Sequence, residues 1–382
     1  MPNLPLSLYI HLPWCAKKCP YCDFNSYSLN HQTLPDKDYL DALFFDLDRS
    51  AEGERRPLMS IFIGGGTPNL FSPQAIGNLL LKVARTFNLA DHCEITMEAN
   101  PGASSHHLWK EYQSAGVNRL SLGVQSFDDA FLRALQRIHH RQEAMESASA
   151  AARVFDRVNL DLMFGLPNQT LSDVSLMLDQ VLSLPISHLS MYQLTLEPQT
   201  SFYAHPPKFL PDDDDLARMY EMIEDRLTGE GFHHYEVSAF ARAGEACRHN
   251  MNYWQFGDYL GIGAGAHGKI TRDRIITREA RIKNPQRYIH AARARTSLIE
   301  ETRVVTDDAL GFEFMLNALR LTHGVPRSLF YERTLRDPMI FNEALNQAIA
   351  RGLISNDPDR FVATHQGFQF LNETLQVFLA TN

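Results

Sequence analysis

Six times between Ser7 and about Glu197, a short β-rich run gives way to a longer segment whose apolar residues recur at spacings of three and four. The runs are Leu8 to Leu12, Ser60 to Ile63, Glu94 to Glu98, Arg119 to Val124, Arg157 to Phe164 and His188 to Leu194. The helical segments between them include Lys37 to Leu47, Pro73 to Phe87, Leu108 to Ala115, Glu143 to Phe155 and Leu171 to Leu184. Strands joined through helices run parallel, and their crossovers are right-handed. Six units fall short of the eight that close a full ring. The expected fold class is therefore α/β, an open (β/α)6 partial TIM barrel. In such sheets, ligands are met at the carboxyl ends of strands. Gly64, Gly65, Gly66, Thr67 and Pro68 follow the second run, Glu98 ends the third, Gln125 the fourth, and Asp161 lies within the fifth, just ahead of Gly165.

At the first run the sequence reads YIHLPWCAKKCPYCDF, Tyr9 to Phe24. Cys15, Cys19 and Cys22 form a C-x3-C-x2-C array that begins two residues past Pro13, where the apolar run stops. Three thiolates in one short loop call for a metal. A closed zinc site takes four ligands, and the other two cysteines, Cys93 and Cys247, lie far away with no C-x2-C partner. Three sulfurs leave one position open, and soft donors select a 4Fe-4S cluster with one iron free for an outside ligand. A zinc loop, or a disulfide pair with a spare thiol, is the competing reading.

The C-x3-C-x2-C spacing, with Tyr21 just ahead of the third cysteine, resembles the signature of the radical S-adenosylmethionine (SAM) superfamily. The resemblance implies SAM chelating the open iron, and the partial barrel as the usual core. It extends over nearly the whole chain to the oxygen-independent coproporphyrinogen III oxidase group, through YIHLPWC, GGGTP, MEANPG, RLSLGVQSF, LQRIHH, NLDLMFGLP and YQLT. By that likeness, Tyr9 and the backbone at Gly65, Gly66 and Thr67 contact SAM, while Glu98, Gln125, Arg137 and Asp161 bind its polar edges. The chemistry agrees: glycine lets backbone approach closely, and carboxylates offset a sulfonium and an ammonium. Tyr21 would stack on the adenine or pack beside the cluster.

Asp212 to Asp215 read as the capped, carboxylate-rich start of a helix over Leu216 to Leu227. His233 and His234 open a strand expected to end at Phe240; neighbours on a strand point to opposite faces, so the pair reads as structural or surface. Cys247 to Trp254, CRHNMNYW, contains an H-N-x-x-Y-W pattern made by His249, Asn250, Tyr253 and Trp254. The pattern is similar to that of the heme-chaperone subgroup, which implies heme at His249 with rings against the macrocycle. A packed histidine beside a core Tyr-Trp pair is the plain alternative. GIGAGAHG, Gly261 to Gly268, reads as a loop close to the barrel mouth with His267 near the SAM site, and Thr271 to Thr296 as an arginine-rich linker. After Thr306, three helical patterns, a strand-like Leu353 to Ser355, a turn Asn356 to Asp359 and Arg360 to Ala363 suggest an α-rich, winged-helix-like C-terminal domain. The expected division is a radical SAM core over 1–240, a glycine-rich and linker region over 241–300, and the C-terminal domain over 301–382.

Composition narrows the function. A net charge of -9 argues against a protein that works by neutralising nucleic-acid phosphates. The tail from Thr306 holds 6 Arg, no Lys and 9 Asp plus Glu, so packing or a protein partner suits it better than nucleic acid. No window of 18 apolar residues and no leader pattern appear, which with the clustered thiols points to the cytoplasm. At Phe24 the coproporphyrinogen III dehydrogenases of this family carry a further cysteine, and they have a longer segment ahead of the first strand, where this chain has eight residues. The resemblance thus implies a heme chaperone that binds heme and passes it to acceptor proteins such as respiratory enzymes, with a 4Fe-4S cluster and exchangeable SAM. The rivals are coproporphyrinogen III dehydrogenase and a zinc-bound regulator that holds nucleic acid. A homodimer is compatible with either reading.

Overall fold

The structure, a computed structural model, describes residues 4–102 and 107–379. The six expected runs become strands β1 Leu6–Leu12, β2 Leu58–Gly65, β3 Leu89–Ala99, β4 Arg119–Gln125, β5 Arg157–Phe164 and β6 His188–Gln193, all parallel and adjacent in chain order. Their crossovers carry α1 Asp36–Ser50, α2 Pro73–Thr86, α3 Trp109–Ser114, α4 Arg141–Val154 and α5 Leu171–Leu182. Local chemistry fixes the helix starts. Ser72 accepts the Ala75 N–H with Pro73 in the first turn of α2, and Thr170 with Asp173 closes a capping box on α5. Parallel strands are covered on both faces, so β1 buries every residue of LSLYIHL except the half-buried Tyr9. The acidic run caps α6, Asp213–Gly229, through Asp212 as expected.

Both edges of the sheet differ from the expectation. The strand expected from His234 to Phe240 is a hairpin of β7 His233–Glu236 and β8 Ala239–Ala241, antiparallel to β6. His234 is buried against Phe240 at 4.4 Å while His233 is exposed, as their opposite faces require. After helix α7, Arg248–Trp254, the glycine-rich stretch supplies a seventh parallel strand, β9 Asp258–Ile262, which pairs with β1. Gly263 then turns with a φ of 100°, where an added Cβ would stand 2.4 Å from the His11 carbonyl oxygen. The residues expected as a linker are instead sheet: β10 His267–Arg272, β11 Ile275–Arg281 and β12 Ile299–Val304 form an antiparallel meander, with α8 Pro285–Arg293 packed on α1. Charged residues concealed these strands. Arg281 spends its charge on buried Asp46 at 3.0 Å and Arg278 on Glu313 at 2.6 Å, both within the fold. The twelve-stranded order is β12-β11-β10-β9-β1-β2-β3-β4-β5-β6-β8-β7.

The C-terminal region builds a separate apolar cluster around α9, Asp307–Ala318, with Phe314 and Phe330 edge to face at 5.1 Å. Further helices run over Ser328–Thr334 and Asn342–Ala350. Its small ladder pairs Val325–Pro326 with Arg360–Phe361, and the expected strand at Leu353 to Ser355 is reduced to one bridge, Ile354 to Ala363. Phe256, just after α7, joins this cluster against Phe314 at 5.5 Å.

Candidate functional site

A cavity of about 760 Å³ opens at the carboxyl ends of β1, β2 and β3 and along β9. The cysteine loop forms one side. Trp14–Cys15 pairs in parallel with Tyr27–Ser28, which closes the loop at its base, and inside it the Cys22 N–H donates to the Cys19 carbonyl at 3.2 Å. Cys15, Cys19 and Cys22 are free thiols. Burial pushes the Cys15 and Cys22 thiols up, neighbouring sulfurs push the same way, and the Thr67 and Ser26 hydroxyls oppose. The three sulfurs therefore lie within electrostatic reach of one another. The Arg137 guanidinium donates to Cys19 Sγ at 3.4 Å, to Asn100 Oδ1 at 2.5 Å and to the Gly123 carbonyl at 2.8 Å. Tyr21 packs on Phe202 at 6.3 Å and hydrogen-bonds Arg137, beside the thiols and not on the cavity wall. Phe24 stands 57% exposed at the rim.

The other candidate residues fall into two layers. Tyr9, Gly65 and Glu98 line the cavity. Tyr9 stacks on Phe62 at 5.7 Å and its hydroxyl is 2.7 Å from His11 Nδ1. Gly65 has a φ of 115°, and a Cβ there would meet the His11 ring at 2.6 Å, so this turn requires glycine. Its N–H donates to Glu98 Oε2 at 3.0 Å. Burial and the Asp161 charge push the Glu98 carboxyl up to about 7, against that hydrogen bond. Beneath this layer, Asp161 accepts from Ser121 Oγ at 3.3 Å and Asn159 Nδ2 at 2.8 Å, and burial raises its own pKa. The Gly66 and Thr67 N–H groups donate at 2.8 Å to the carbonyls of Leu12 and Trp14, which braces the cysteine loop. Gln125 adopts a φ of 65° where a bulge shifts the register between β4 and β5.

Helix α7 divides the H-N-x-x-Y-W pattern between two faces. Inward, His249 is 4% exposed, stacks on Phe62 at 4.1 Å, and sets Nδ1 3.4 Å from Glu94 Oε1 and 3.0 Å from Cys247 Sγ. Burial lowers its pKa against the pull of Glu94, so the ring is neutral and hydrogen-bonded. Burial pushes Glu94 up, but His249, Arg119 and Arg157 outweigh it and hold the carboxylate ionised. Asn252 locks the same face by donating at 2.9 Å to Ser7 Oγ and to the Asp258 carbonyl. Outward, Tyr253 and Trp254 line the cavity. His249, expected to meet heme, is placed under Phe62 beside Glu94 and Cys247, behind the residues that line the cavity.

Several cavity residues escaped the sequence reading: His11, Phe62, Tyr259, Lys283 and Asn317. Phe62 had a signal, since a parallel strand alternates its faces and Phe62 precedes Gly64 by two. Lys283 and Asn317 had none, because Lys283 is brought in just past β11 and Asn317 by helix α9, far along the chain from the first strands.

Over residues 9–181 the chain matches the radical SAM superfamily, and over 305–370 the HemN C-terminal domain. The heme chaperone HemW of Haemophilus influenzae is 45% identical across 99% of both chains. That of Escherichia coli is 45% identical across 98% of both, and that of Bacillus subtilis 37% across 98% of this chain and 99% of the relative. This chain belongs to the HemW family of radical SAM proteins. Among solved structures, the coproporphyrinogen III oxidase HemN of Escherichia coli superposes with a TM-score of 0.84 over 99% of this chain and 91% of that one, at 23% identity, a likeness of fold.

Membership of the HemW family implies a 4Fe-4S cluster and SAM, and the residues fit both. Three free thiols share one loop, and the Arg137 guanidinium donates to Cys19 Sγ. At neighbouring strand ends, Glu98 and Asp161 offer two buried acid groups, the kind of acceptor that an ammonium or ribose hydroxyls need. Among the described residues, no helix is long and apolar enough to cross a membrane.

Proposed function

We propose that this protein binds heme in the cavity and passes it to heme-accepting proteins such as respiratory enzymes. The observation that carries the reading is the cavity itself, about 760 Å³ and lined by the rings of Tyr9, Phe62, Tyr253, Trp254 and Tyr259. The end-to-end match to relatives named heme chaperones supports it. Cys15, Cys19 and Cys22 hold a 4Fe-4S cluster, and Arg137 orients Cys19. Tyr9, Gly65 and Glu98 meet SAM from the cavity side, while Asp161, Gln125, Gly66, Thr67 and Tyr21 brace those contacts from below. A bound cluster would supply reducing electrons; the chain's own residues bind, orient and shield. The protein acts in the cytoplasm, where its thiols stay reduced.

The test is anaerobic reconstitution followed by hemin titration of wild type and Y253A/W254A. Loss of two flanking rings is expected to weaken hemin binding about tenfold or more, with iron and sulfide content unchanged. Conversion of coproporphyrinogen III to protoporphyrinogen by the reconstituted wild type would instead establish the decarboxylase.

A further inference from the structure

Near the end of β1, His11 lies at the cavity but is almost wholly buried, 4% exposed. Its ring fills the space that a Cβ on Gly65 would need, 2.6 Å away, and its main-chain carbonyl accepts from the Tyr39 hydroxyl at 2.8 Å. The imidazole therefore has one seat. Both of its nitrogens are engaged there: Nε2 is 2.9 Å from the Asn25 main-chain carbonyl, and Nδ1 is 2.7 Å from the Tyr9 hydroxyl.

The protons on this chain of contacts can be assigned. A carbonyl oxygen only accepts, so Nε2 carries a hydrogen. Burial lowers the His11 pKa to about 4, with His267 adding to it against the Asn25 hydrogen bond, so the ring is neutral at pH 7. A neutral imidazole has one N–H, which leaves Nδ1 as an acceptor. Burial and then the Glu98 charge raise the Tyr9 pKa, so the phenol keeps its proton. That proton points to Nδ1. The direction runs from the Tyr9 O–H to His11, and from the His11 Nε2–H to Asn25, three residues past Cys22.

Tyr9 thus lines the cavity with its donor spent and its lone pairs left over. Glu98 lines the same cavity within electrostatic reach of Tyr9, and it is the acceptor that the phenol proton would otherwise seek. One of its oxygens already takes the Gly65 N–H at 3.0 Å. With the phenol proton on His11, both Tyr9 and Glu98 are left to accept. Two acceptors side by side suit a ligand that brings N–H donors and positive charge, as an ammonium does.

We propose that His11 is a positioning residue for SAM: it turns the Tyr9 proton away from the cavity, so that Tyr9 and Glu98 meet the cofactor's ammonium as acceptors, and it ties that contact to the cysteine loop through Asn25. The inference rests on the reading of Tyr9 and Glu98 as SAM contacts and adds the residue that orients them.

The experiment measures SAM affinity by equilibrium dialysis on full-length, anaerobically reconstituted wild type, Y9F, H11N and H11L. Asparagine keeps an acceptor where Nδ1 stood and gives up the bond to Asn25; leucine gives up both. Y9F and H11L are each expected to weaken SAM about tenfold, and H11N to stay within about threefold of wild type. A role in packing alone would weaken H11N and H11L alike, and that result overturns the inference. Weakened binding in Y9F with unchanged binding in H11L also overturns it, and leaves Tyr9 as a SAM contact. Unchanged binding in Y9F removes Tyr9 from the SAM site and the inference with it. Should H11L fold poorly, NMR of labelled histidine nitrogens in the wild-type protein decides, with His11 assigned by its absence from H11N. A proton on Nε2 and none on Nδ1 near pH 7 is expected; a proton on Nδ1 overturns the inference.

Discussion

Glu98 shows how a strand end acquires chemistry from its surroundings. Its carboxyl sits at about 7 against an ordinary 4.5, chiefly from burial and then from Asp161. The folded chain therefore holds more protons than the unfolded one between those values, and stability falls as pH rises through that window. E98Q removes the titration. The apoprotein variant should gain on the order of 2 kcal/mol over wild type at pH 8 and nothing near pH 4.5, read by urea unfolding. The same variant should bind SAM about tenfold more weakly, since a charged acceptor for its ammonium is gone. Arg137 carries a different expectation. R137K keeps the charge, but an ammonium cannot reach Cys19, Asn100 and Gly123 as one planar fork does. Iron loading should persist while the cluster's midpoint potential falls, because hydrogen bonds to ligating sulfur raise it; an equal potential would count against that role. The three cysteines and Glu98 were legible from spacing and position on a strand. The cover over His249 was not: Phe62 and Glu94 reach it from two other strands, and no spacing within the H-N-x-x-Y-W pattern encodes them.

Among the elements, β5 occupies the span expected for it, Arg157 to Phe164, because Val158, Leu160 and Leu162 alternate with Asn159 and Asp161 at the period of a strand. The strand β9 was hidden for the opposite reason. Its GIGAG segment is glycine-rich where the backbone passes close to β1 and β10, and glycine is what a turn also looks like. Gly263 makes the point testable. With a φ of 100° and a Cβ position 2.4 Å from the His11 oxygen, G263A should lose about 2 kcal/mol or more of stability in urea unfolding. A variant as stable as wild type would mean that the turn adjusts. The H-N-x-x-Y-W pattern is legible in the sequence without the helix, α7, that carries it. Only the contacts show that Asn252 and His249 anchor it while Tyr253 and Trp254 are displayed.

At the scale of the molecule, the cavity has two ends. Cys22 and Phe24 border one, and Trp254, His267 and Asn317 connect the other to a smaller recess lined by both arginine and glutamate side chains. Iron–sulfur loading and hemin binding should therefore separate: C15A/C19A/C22A is expected to lose iron and sulfide yet bind hemin within about threefold of wild type. A complete loss of hemin binding would show that the two ends act as one. The seventh parallel strand has a consequence during synthesis. The edge of Leu6–Leu12 is capped by Asp258–Ile262, some 250 residues later in the chain. A ribosome that has delivered only the first six strands holds a nascent protein in which this apolar strand is an open edge, exposed to stray association until the late strand emerges to cover it.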